Sequence, residues 1–111
     1  MSNNLRVQKY QVRITVLKKT FNREYIADYA AEPEKWTECT HFSIGDEFVT
    51  DIQQPWNMPE GFCGWAYADI QRDIAVVMMG GSMPWMKEEG VQIACCTDGS
   101  RPVVFKIERA E

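Results

Sequence analysis

The 111-residue chain predicts an α+β fold: a mixed or antiparallel sheet of about four strands, two helices packed on one face, and a C-terminal β-hairpin. Three observations point there. Stretches of period-2 alternation are interleaved with two stretches of helical period. Their order is strand, helix, strand, helix, strand, strand, and the last two strands are joined by the turn sequence Thr97-Asp98-Gly99. The length suits a single domain, 1–111, with a core large enough to need neither disulfides nor a metal.

In the first strand Tyr10, Val12, Ile14 and Val16 alternate with Gln11, Arg13 and Thr15, the pattern of a strand buried on one face. Asn22 then offers a helix cap, and Tyr25, Ile26, Tyr29 and Ala30 form one stripe of a helix that Pro33 ends. The segment 34–45 reads as a loop carrying Cys39 and His41. The segment 46–52 reads as a short strand with Phe48 and Ile52 pointing one way. Two prolines and two glycines in 53–64 exclude any regular element there. A second helix over 65–79 places Ala66, Ile70, Ile74, Val77 and Met78 on an apolar face and Asp69, Arg72 and Asp73 on a solvated one, with Gly80 at the left-handed C-terminal position.

For the hairpin, parity groups Val91, Ile93 and Cys95 on one face and Val103, Phe105 and Ile107 on one face of the returning strand. A two-residue turn at Asp98-Gly99 sets apolar against polar, whereas a three-residue loop pairs Cys95 with Arg101, Ile93 with Val103 and Val91 with Phe105. The second register is expected, with Gly99 left-handed, Cys95 turned inward and the Arg101 guanidinium on the face of the Cys95 thiol.

Composition excludes several functions. Hydrophobic residues make up 45% and charged residues 25%, which is globular composition. A net charge of -4 with no basic block leaves nucleic acid without a platform. The N-terminal segment has no apolar core of signal-peptide length and no stretch suits a bilayer span, so a cytoplasmic protein with no membrane partner is expected. In that reducing compartment the four cysteines are thiols.

The chemistry-bearing residues are mostly sulfur. Cys63 lies between Gly61 and Gly64 at the start of the second helix, where the helix field favours thiolate, so it is the candidate catalytic nucleophile, with nearby Glu60 as a proton acceptor. Cys39, His41, Cys63 and one of Cys95 or Cys96 are chemically adequate for zinc or iron, although their spacing lacks paired Cys-x-x-Cys knuckles. Met78, Met79, Met83 and Met86 are thioethers suited to Cu(I), or else core fillers. Trp56, Trp65 and Trp85 lie in or beside glycine- and proline-rich loops and, with Arg101, are candidate walls of a ligand cleft. No phosphate loop, Ser-His-Asp order or HExxH helix is present.

The stretches YQVRITVLKKTF, CTHFSIGDEF, PEGFCGWAYADI, GGSMPWM and GVQIACCTDGSRPVVFKIER together resemble a family of small prokaryotic proteins of this length, common in anaerobes, whose most specific mark is the cysteine-pair ending. The resemblance implies a single cytoplasmic domain and brings no activity with it. An anaerobic setting implies easier maintenance of exposed thiols.

Three functional expectations follow from the residues. The first is a small binding or accessory protein with a thiol-lined cleft for a soft metal or small ligand. The second is a thiol redox enzyme using Cys63, with another cysteine resolving the mixed disulfide. The third is a non-catalytic subunit docking on a protein partner through its Met-Trp loop. Pro102 at an irregular or edge-strand start is compatible with a monomer or a homodimer.

Overall fold

A computed structural model describes residues 9–110; the N-terminal segment 1–8, read above as lacking a signal core, lies outside them. Strands β1 (Gln11–Lys19), β2 (Glu47–Val49), β3 (Val91–Cys95) and β4 (Val103–Ala110) form one antiparallel sheet in the order β2-β1-β4-β3. Helices α1 (Arg23–Tyr29) and α2 (Gly64–Met78) and one 3-10 turn (Pro33–Lys35) complete the α+β fold. The C-terminal strands are neighbours, as the hairpin pattern requires.

The core lies between the sheet and α2. Val12, Ile14 and Val16 from β1 and Val103, Phe105 and Ile107 from β4 meet Ala66, Ile70, Ile74, Val77 and Met78 from α2, all buried. Each fully buried aliphatic side chain contributes about 1.5–3 kcal/mol relative to exposure. Tyr10, assigned to the same stripe, is 38% exposed because β1 begins one residue later. Helix α2 stops where Gly80 takes φ +88: the Gly81 N–H donates to Val76 O at 2.8 Å and the Gly80 N–H to Val77 O at 3.2 Å, a Schellman ending.

Helix α1 buries only Ile26, while Tyr25 and Tyr29 face water. Asn22 stands at its N-cap but makes no capping bond with its side chain. Its amide donates instead to Gly99 O, and its backbone N–H donates to Ser100 O at 3.0 Å, fastening the start of α1 to the β3–β4 loop. Strand β2 is shorter than the segment 46–52, and Ile52 lies outside it, 64% exposed. The chain leaves the sheet at Thr50, whose hydroxyl accepts the Val12 N–H at 3.0 Å.

The hairpin register differs from the expected one. Ile93 pairs with Lys106, Ala94 with Phe105 and Cys95 with Val104, so Gln92, Ala94 and Cys96 share the inner face with Val103, Phe105 and Ile107. Ile93 is 44% exposed and Cys95 points outward. The apolar-to-apolar matching rule fails because the inner face accepts a glutamine. Gln92 Nε2 donates to Asp73 Oδ1 on α2 at 3.1 Å, so Asp73, assigned to a solvated helix face, is buried as its partner. The connecting loop is longer than three residues, and Gly99 does not take a positive φ. Pro102 precedes β4, an interior strand, so it marks an irregular start and not an edge.

Candidate functional site

A cleft of about 600 Å³ opens where α2 begins and the β3–β4 loop turns. Its lining includes Cys39 and His41, Cys63, and Cys96, three segments distant in sequence, together with Trp65, Thr97 and Arg101. Each segment is fixed by an identifiable contact.

The first segment is held from β1. The ladder shifts register between Val16 and Lys18, leaving Leu17 as an extra residue. A bulge reverses the side-chain parity beyond it, so Lys19, opposite buried Val103, turns to the inner side. Its ammonium donates to Cys39 O at 3.0 Å and Phe42 O at 2.8 Å. Phe42 anchors the same loop in an aromatic cluster, with centroids 5.0 Å from Phe62 and 5.3 Å from Phe105.

The second segment is tied to the first by His41, whose Nε2 donates to Gly61 O at 2.9 Å. A carbonyl only accepts, so this bond requires hydrogen on Nε2 and leaves Nδ1 as the acceptor nitrogen of the neutral ring. Gly61 holds φ +83, which lets the chain turn before Phe62 enters the core and Cys63 reaches the N-cap of α2. The Cys63 side chain makes no capping bond, and the sulfur is half-buried at the cleft. The opening N–H groups of α2 lack intrahelical acceptors and bring partial positive charge to this end of the cleft.

The third segment is built around the β3–β4 loop. Cys96 N–H donates to Val103 O at 3.1 Å, while the Val103 N–H returns to Cys96 Sγ at 3.3 Å. Asp69 on α2, assigned above to the solvated face, accepts the Thr97 N–H at 2.8 Å and the Thr97 hydroxyl at 3.0 Å. That hydroxyl in turn accepts Trp65 Nε1–H at 3.2 Å. Asp98 accepts the Ser100 N–H at 3.1 Å and pairs with Arg101 Nε at 3.3 Å. The Arg101 guanidinium lies 5.1 Å from the Trp36 ring centroid, a cation–π contact. Arg101 and Thr40 also border a second cleft of about 480 Å³ lined by Glu32, Lys35 and Trp36.

Of the residues singled out in the sequence, Cys39, His41, Cys63, Cys96, Trp65 and Arg101 line this one cleft, and Cys95, Trp56, Trp85 and Glu60 do not. Cys95 is on the outer face of the sheet, since one residue along a strand reverses the side chain. Trp56 is 52% exposed, its carbonyl taken by the Tyr67 hydroxyl at 3.0 Å, and Trp85 is 72% exposed; neither lines the cleft. Glu60 is exposed and also outside it. Among the described residues no group of three or more His, Cys, Asp or Glu side chains is placed to hold a metal ion, the set of Cys39, His41, Cys63 and Cys95 or Cys96 included. Of the methionines considered for Cu(I), Met78 is wholly buried core and Met79 is 39% exposed. Sequence patterning does not assign Lys19, Trp36, Asp69 or Thr97 to this site. Only the turn-forming Thr97-Asp98 carried any signal in the sequence.

Compared with protein-family models, with curated proteins and with solved structures, the chain matches none. Among the described residues no helix is long and apolar enough to cross a membrane.

Proposed function

We propose that the chain is a small binding protein of a reducing, cytoplasmic compartment, whose ligand is a small organic molecule held in the thiol-lined cleft. One observation carries this reading: Cys39, Cys63 and Cys96, far apart in sequence, border one concavity. Its volume, about 600 Å³, lies within the range of small-molecule sites. The walls suit an apolar body, with Phe42, Trp65, Ala66 and Val103 around it, and the Arg101 guanidinium offers a cationic donor to a carboxylate at one end.

Ligand-observed NMR with a panel of small aromatic carboxylates tests the reading. A binder is expected to slow alkylation of Cys63 and leave that of Cys95 unchanged. Arg101→Met, which removes the guanidinium and keeps an apolar side chain, is expected to weaken it at least tenfold, the equivalent of about 1.4 kcal/mol. Absence of any binder that protects Cys63 speaks against the proposal.

The position of Cys63, half-buried at the head of α2 and facing the cleft, favours a second reading as a thiol enzyme. Turnover of a disulfide substrate that is lost in Cys63→Ser, with ligand binding retained, distinguishes it from the first.

A further inference from the structure

We infer that this protein forms a two-fold homodimer by antiparallel pairing of the β3 edges of two copies. The sheet order β2-β1-β4-β3 leaves β3 with a strand on one side only. Arg109 N–H donates to Gly90 O and Cys96 N–H to Val103 O, which fixes the even-numbered residues of β3 as those hydrogen-bonded to β4. Val91, Ile93 and Cys95 therefore aim their N–H and C=O groups away from the sheet. Among the described residues no backbone group outside the ladder meets them. Their side chains stand on the outer face, with Ile93 44% exposed.

Exposed edges are templates for pairing, and proteins usually blunt them with lysine, proline, a bulge or extreme shortness. The opposite edge is blunted: β2 has three residues and begins with Glu47. Strand β3, with sequence VQIAC, has no charge and no proline, and its ladder runs without a register shift.

The occupant is a second copy because the strand is its own complement. Antiparallel pairing centred on Ile93 is the register that joins all five residues of β3. It sets Ile93 against the partner's Ile93 and Val91 against the partner's Cys95, each a pair exchanging both N–H···O bonds. Every outer-face contact is then apolar, and no like charges are brought opposite each other. This surface is separate from the cleft: Val91, Ile93 and Cys95 do not line it.

Sedimentation of the full chain over a concentration series, with Ile93→Lys alongside, tests the pairing. Wild type is expected to reach twice the monomer mass, and the variant to stay at the monomer mass with unchanged circular dichroism. A wild type that is monomeric throughout overturns the proposal, and so does a dimer that survives Ile93→Lys.

A gain-of-contact variant keeps the test decisive if the lysine disturbs folding. Oxidised Val91→Cys is expected to link position 91 to the partner's Cys95, because hydrogen-bonded pairs sit about 5.5 Å apart at Cα, within disulfide reach. Wild-type Cys95 stays reduced, since its own copy lies about 14 Å along the strand at 3.4 Å per residue. A link between the two copies of Cys95, or no link in a dimeric Val91→Cys protein, overturns this register.

Discussion

Gln92 Nε2 donates to Asp73 Oδ1 at 3.1 Å between β3 and α2, with both side chains almost wholly removed from water. The pair sits on the inner face, where the hairpin would otherwise carry an aliphatic residue, so it is part of what sets the strand's parity. Buried polar partners are asymmetric in their effect: losing one strands the other, and replacing both leaves nothing unpaired. We predict that Asp73→Ala destabilises the fold by about 2–3 kcal/mol, whereas the double replacement of Asp73 and Gln92 by leucine stays within about 1 kcal/mol of wild type. Urea unfolding of the three proteins measures both. A harmless Asp73→Ala defeats the argument.

That pair also explains which parts of the fold sequence patterning reached. Val12, Ile14 and Val16, and the α2 stripe from Ala66 to Met78, are legible because period and hydrophobicity agree. In β3 they disagree. Ile93 is the more apolar residue and faces out, while Gln92 faces in with a partner nineteen positions away, invisible to any local rule. The cleft was legible as a set of sulfur-bearing loops. Its assembly was not, because it depends on the Leu17 bulge that turns Lys19 inward and on His41 reaching the Gly61 carbonyl. Neither a bulge nor a side-chain tie to a carbonyl leaves a period in the sequence.

The adjacent cysteines provide a direct check on register. Cys96 is 8% exposed and accepts the Val103 N–H, while Cys95 stands outward. We predict that iodoacetamide modifies Cys95 more than about tenfold faster than Cys96, because a buried thiol reacts only through local opening. Peptide mapping after brief labelling reads the ratio. The register expected from hydrophobicity alone gives the reverse order.

Lys19 is the post on which the Cys39–Phe42 loop hangs, with its side chain only 17% exposed and both of its carbonyl acceptors in that loop. Lys19→Met keeps the stem and removes the donors. We predict a loss of about 2 kcal/mol in stability, within the range for hydrogen bonds to a charged group. Faster amide exchange confined to 39–42 and quicker alkylation of Cys39 are expected with it. Exchange that is unchanged in that loop, or raised uniformly over the sheet, assigns Lys19 no such role.

Tyr67 lies on α2 beside the Phe62 ring, and its hydroxyl donates to Trp56 O at 3.0 Å. Burial raises its pKa above the ordinary 10.0, against a smaller lowering by the Gln71 side chain. The fold thus favours the neutral phenol. The stabilisation is complete below the unfolded value of 10.0 and is lost as pH rises through the folded value, because the unfolded chain gives up this proton first. We predict that Tyr67→Phe loses about 1 kcal/mol at neutral pH for the missing hydrogen bond, yet declines less steeply than wild type in alkali. Denaturant unfolding at a series of alkaline pH values, with tyrosinate absorption followed in parallel, measures the two slopes. Parallel curves for the two proteins mean that burial at Tyr67 does not oppose its ionisation.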